Sequence, residues 1–99
     1  MYIYVVTVTY KVPIAQIMEA APAHREYLQS FYDDQTILFS GIQCTKTGGV
    51  IVMRSDNDTR VQELIDKDPF YTLGLASYDW VSFEARKAQP YIEEWIHGK

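Results

Sequence analysis

Histidines and the carboxylates near an apolar pattern are where chemistry would sit in this chain. His97 lies two residues from the end of a polar tail and is expected to face solvent. His24 falls three residues after Ala21 and four before Leu28, on the helical stripe that should face a sheet. An imidazole on such a face is more often a hydrogen-bonded core residue than a catalyst. Asp68 precedes Pro69, where an aspartate has the structural task of turning the chain. The pair suggests more than either residue alone. If both helices lie on one sheet face, His24 and Asp68 meet between them. An aspartate accepting from one ring nitrogen fixes the tautomer and stabilises the imidazolium formed when the other nitrogen takes a proton. That is a general base without a metal or cofactor.

The remaining candidates are substrate-holding groups. Ser40-Gly41 closes a short strand, and the Ser40 hydroxyl is placed to position a ligand, although Ser-Gly at a strand end also serves simply as a turn. Ser40 would act as a nucleophile only with His24 beside it. Phe70, two residues past Asp68, offers an apolar surface. We therefore take His24 and Asp68 as candidate catalytic residues and Ser40, Gly41 and Phe70 as candidate substrate-binding residues. Gly48-Gly49 lacks the spacing of a phosphate-binding motif and reads as the start of a strand. The single cysteine, Cys44, excludes an internal disulfide and a multi-cysteine metal site. No metal and no cofactor is expected.

The elements that must position these residues can be read from hydrophobic periodicity. Tyr2–Tyr10 (YIYVVTVTY) is rich in β-branched and aromatic residues and reads as a strand. Ile14, Ile17, Met18 and Ala21 have helical spacing; Pro22 is expected to end that helix and start a second one, whose stripe is Tyr27, Leu28, Phe31 and Tyr32. Gln35–Gly41 is a strand, Ile42–Thr47 a polar connection, and Gly48–Arg54 another strand. N-cap candidates at Ser55–Asp58 precede the amphipathic Val61, Leu64 and Ile65, and Asp68-Pro69 ends that helix. One more turn over Phe70–Gly74 leads to a last strand over Ser77–Ala85 and to a tail whose Tyr91, Ile92, Trp95 and Ile96 could form a short docking helix. The order β-α-β-β-α-β predicts an α+β, ferredoxin-like fold: a four-stranded antiparallel sheet with both main helices on one face. One domain over residues 1–99 is expected, with a core of about 2–85 and a docking tail over 86–99.

Net charge is −4, from nine Lys and Arg against thirteen Asp and Glu, and no basic stripe offsets it, so nucleic acid is not an expected partner. No apolar run is long enough to span a bilayer and no leader segment is seen, so a cytoplasmic protein without a membrane association is expected. Eight of the fourteen aromatic residues are tyrosines, suited to half-buried positions in an interface or a lined cleft. The strands point the same way. A half-solvated sheet should alternate apolar and polar residues, yet the first strand has Tyr4, Val6 and Val8 on one face with Ile3 and Val5 on the other. The third carries Val50 and Val52 opposite Ile51 and Met53. Two helices cover one face only. A second copy of the sheet is the expected cover for the other, in a homodimer; the tail folding back is the alternative. Which face is the outer one, and so whether Val52 or Val6 meets the partner, is left open by the pattern.

Taken in order, the opening strand, Pro22-Ala23-His24 with Tyr27-Leu28, Ile37–Gly41, Gly48–Val52, Asp68-Pro69-Phe70 and Gly74-Leu75 resemble a YciI-like protein over residues 2–85. The resemblance implies a ferredoxin-like domain whose sheets pair into a dimeric α+β barrel, with a His–Asp pair in a cleft, here His24 and Asp68, and a serine nearby, here Ser40. It also implies a small enzyme, since lyase or elimination chemistry is suggested for some members. The chain departs from the pattern at Ala21, where an arginine is frequent, at Ile42, where a proline is, and at Asp34-Gln35, where glycine is. Arg25 follows His24 but is expected to point elsewhere around the helix. The functional expectation is a cofactor-independent lyase or isomerase using His24 and Asp68 for proton transfer on a small organic molecule. The alternative is a non-catalytic small-molecule-binding or interaction module of the same fold.

Overall fold

The computed structural model describes residues 1–99. Its strands are β1 (Tyr2–Tyr10), β2 (Ile37–Ile42), β3 (Gly48–Ser55) and β4 (Ala76–Phe83). Helix α1 (Ile14–Asp33) joins β1 to β2; α2 (Asp58–Lys67) and the single turn α3 (Pro69–Thr72) join β3 to β4; α4 (Pro90–Ile96) follows. The strands are antiparallel in the order β2-β3-β1-β4, so the fold is the α+β, β-α-β-β-α-β arrangement expected from the sequence. No helix is long and apolar enough to cross a membrane.

The pleat sorts the two strand faces. Tyr4, Val6 and Val8 of β1 and Ile51 and Met53 of β3 are buried with Ile17, Ala20 and Leu28 of α1 and Val61, Leu64 and Ile65 of α2. Directly opposed residues share a face, so Ser40 and Ile42, opposite Ile51 and Gly49, also lie on the helical side. Val6 is therefore core beneath the helices. The outer face carries Phe39, Val52, Val5 and Val81 in register across all four strands. Phe39 and Val81 there are 59% and 67% exposed. Helix α4 covers only one end of this face, where Ile3 and Arg54 are buried and the Arg54 guanidinium donates to the Trp95 carbonyl. The Trp95 indole donates to Gln35 O at 2.6 Å.

One expectation is corrected. Pro22 does not divide two helices; α1 runs through it without a break. A proline inside a helix removes one hydrogen bond and costs roughly 3 kcal/mol. Here the ring lies on the solvent side, and Met18, whose carbonyl loses its donor, is also exposed. The stripe Ile17, Ala20, Leu28 and Phe31 continues across position 22 and packs as one surface, and that tertiary packing outweighs the local penalty.

Candidate functional site

Helix α2 places the first component. Its N-terminus is fixed by Asn57, whose side chain accepts from Arg60 N, and Asp58 and Lys67 complement the dipole at its two ends. The chain then turns at Asp68, which ends α2 and caps α3: Asp68 Oδ1 accepts from the Phe70 backbone N–H at 3.0 Å. The carboxylate is fully buried. Pro69 at the first position of α3 holds the turn, since it lacks the N–H that would have no partner there.

Helix α1 brings the second component. The His24 Nδ1 lies 2.7 Å from the same Asp68 Oδ1. The imidazole also stacks on the Phe70 ring, with centroids 4.0 Å apart and planes 7° from parallel, and Tyr10 meets Phe70 edge-on. One short segment, Asp68–Phe70, thus sets the hydrogen bond, the ring plane and the floor beneath it. With the carboxylate oxygen accepting from Nδ1–H, the lone pair is on Nε2. Nε2 makes no hydrogen bond within the chain and is not one of its buried partnerless atoms, so it is open to solvent.

Behind the pair lie two buried polar atoms without a partner, Asp68 Oδ2 and the Tyr78 hydroxyl. Burial first, and the Asp68 charge second, push the Tyr78 phenol well above its ordinary value, so it remains a protonated donor beside the carboxylate. Tyr27 ties the two helices by donating to Leu64 O at 2.7 Å. No third His, Cys, Asp or Glu joins His24 and Asp68 in a metal-binding set.

His24 and Phe70 open into a cavity of about 570 Å³ between α1 and the β2–β3 end of the sheet, within the size range of small-molecule sites. Ser40 and Gly41 line it as well, so the five candidate residues meet around one space: four on its wall and Asp68 behind His24. Ser40 Oγ is hydrogen-bonded to the Tyr32 hydroxyl and makes no hydrogen bond to His24. Its hydroxyl is therefore arranged as a polar contact and has no base beside it.

Two lining residues escaped the sequence reading. Arg25 does not point away from the site but lines the cavity. Lys46, in the β2–β3 connection, lines it too, and the only signal in the chain was its place beside a strand end. Ala21, Ile42 and Ile17 supply apolar wall, so the position where an arginine is frequent is here a small residue facing the cavity.

A four-stranded antiparallel sheet with a His–Asp pair between its two helices and an apolar cavity beside them defines a small class of α+β domains. Residues 2–84 match the family model of the YCII-related domain, and the chain belongs to that family. Among solved structures it is similar to 5-chloro-2-hydroxyhydroquinone dehydrochlorinase (TftG) from Burkholderia phenoliruptrix AC1100, in complex with 2,5-dihydroxybenzoquinone. The TM-score is 0.68 at 18% identity, covering 87% of this chain and 95% of that one, a likeness of fold. No curated protein matches the chain.

Proposed function

We propose that this protein is a small, cofactor-independent enzyme that moves a proton on a small organic molecule, in an elimination (lyase) or isomerisation. The observation that carries the reading is the 2.7 Å contact of His24 Nδ1 with a buried carboxylate while Nε2 remains open beside the cavity. Nε2 would take a proton from an acidic C–H or O–H of the substrate. In an elimination, the bonding pair left behind forms a new double bond and expels a leaving group with its own electron pair. In an isomerisation, the imidazolium returns the proton at a different atom. Asp68 would hold the ring and stabilise its charged form, with Ser40, Gly41 and Phe70 contacting the substrate. The dehydrochlorinase of similar fold fits the elimination branch by its name.

The protein is also proposed to work as a homodimer through its outer sheet face. The row Phe39, Val52, Val5 and Val81 is apolar on all four strands, and α4 leaves it open. A cytoplasmic setting is part of the same proposal.

Turnover tests the catalytic role. Once a substrate is found by screening small acidic organics, His24→Ala is expected to lower kcat by ~10²–10⁴-fold while binding largely persists. The binding-module reading has one observation in its favour, the structural cap that Asp68 gives α3. Full activity in His24→Ala would remove His24 from the chemistry, and ligand binding with no turnover of any screened compound would establish the binding module instead.

A further inference from the structure

The cavity beside His24 carries a charge pattern opposite to that of the protein. The chain is acidic overall, at −4, yet none of the residues lining the cavity is an aspartate or a glutamate. Its charged lining residues are Arg25 and Lys46, which come from separate parts of the fold, α1 and the β2–β3 connection. Both are exposed and so stand at the mouth. Neither lies within ion-pairing distance of a carboxylate; the salt bridges of the chain involve His24, Arg60 and Arg86 only.

Lys46 is held there by a constrained connection. Its backbone is left-handed, at φ 64°. Its N–H donates to Gln43 O at 2.8 Å, and Gln43 N donates to Gly48 O at 2.9 Å. The Thr45 and Thr47 hydroxyls bond each other at 2.7 Å, and Tyr10 N donates to Thr47 O at 3.0 Å, which fastens the connection to β1. Two unpaired cations at the mouth of an otherwise apolar pocket attract anions more strongly than they would on an open surface. Guanidinium adds a planar fork that matches an oxyanion.

We infer that the site takes a small organic oxyanion, a carboxylate or phenolate on an apolar body, with Arg25 and Lys46 as its charge-selecting residues. The apolar body would lie against Ile17, Ile42 and Phe70, with its charge at the mouth. The inference rests on the proposed site but not on its catalytic chemistry.

Benzoate and its neutral near-isostere benzamide separate charge from shape. Both are titrated at millimolar concentration into the full-length protein, followed by NMR shifts of the cavity residues. Benzoate is expected to bind more tightly than benzamide and to weaken as salt rises. Arg25→Gln and Lys46→Gln should each weaken it about tenfold, the low end for a hydrogen bond to a charged group, and leave benzamide unchanged. His24→Ala should retain the preference for benzoate. Equal affinity for the two probes, absence of benzoate binding, or an affinity indifferent to salt and to both substitutions overturns the inference. The comparison of probes and salts on the unaltered protein holds even if a variant fails to fold. His24-dependent turnover of neutral molecules with no preference for benzoate would remove this inference and leave the catalytic reading standing. Charge-dependent binding without any His24-dependent reaction would do the reverse.

Discussion

One oxygen of Asp68 accepts from two donors, the Phe70 backbone and the His24 ring. This makes Asp68→Asn a cleaner probe than the residue pair alone suggests. The asparagine carbonyl can replace Oδ1 and keep both hydrogen bonds, with its amide nitrogen in the place of Oδ2, beside the Tyr78 hydroxyl. The Nδ1–H tautomer then survives, and what is lost is the negative charge that stabilises an imidazolium. Asp68→Asn is expected to melt near the unaltered protein and to show the same His24 tautomer by nitrogen NMR, yet to turn substrate over far more slowly. Asp68→Ala, which removes the cap as well, should cost about 1 kcal/mol of stability from the cap alone. Equal turnover in Asp68→Asn would reduce the aspartate to a structural tie.

At the scale of elements, β3 approaches β1 most closely at Gly48. A Cβ at Gly48 would lie 1.8 Å from Val8 O and 2.9 Å from Val8 C, both backbone atoms that cannot yield. Gly48→Ala should therefore separate the strands and cost about 3 kcal/mol or more. Gly41, with nothing within 4 Å of a Cβ, is the control, and Gly41→Ala should melt close to the parent. Helix α1 illustrates the opposite balance. It has no side-chain cap, no acidic first turn and a proline in its interior, so local preferences alone support it poorly. Burial of Ile17, Ala20 and Leu28 against the sheet holds it.

Two expectations belong to the whole molecule. The first is assembly: pairing through the outer face should bury on the order of 1,200 Å² or more. Light scattering is expected to report a dimer, and Val81→Arg or Phe39→Arg to give a monomer whose His24 site remains folded. A monomeric parent at micromolar concentration would end the dimer proposal. The second is alkaline stability. Burial, reinforced by the hydrogen bond to Asp58 and its charge, pushes the Tyr4 phenol up to about 12. Burial, aided by the charges of Asp68 and Asp66, does the same for Tyr27. A tyrosine in the unfolded chain ionises near 10.0. Above that value the unfolded state has released protons that the folded state still holds, so stability falls as pH rises. It should be fully present below about pH 10 and lost progressively towards pH 12. Denaturant melts across that window, with phenolate absorbance as the second signal, check the slope.

The order of elements, the antiparallel sheet and the stripe carrying His24 were legible in the residues themselves. Period-two and helical patterns are local, and Asp68-Pro69 marks its turn by chain chemistry alone. The outer face of the sheet was not legible, because both faces of β1 and β3 are apolar and only the packing of α1 and α2 distinguishes Val6 from Val52. The unbroken helix at Pro22 escaped a local reading for the same reason: a buried stripe spanning both sides of the proline outweighs the bond it removes. Arg25 and Lys46, one beside the histidine and one twenty-two positions from it, share a cavity only because β2 and β3 fold back beneath α1. Spacing along the chain carries no signal for such a meeting; the packing of α1 over the β2–β3 end of the sheet decides it.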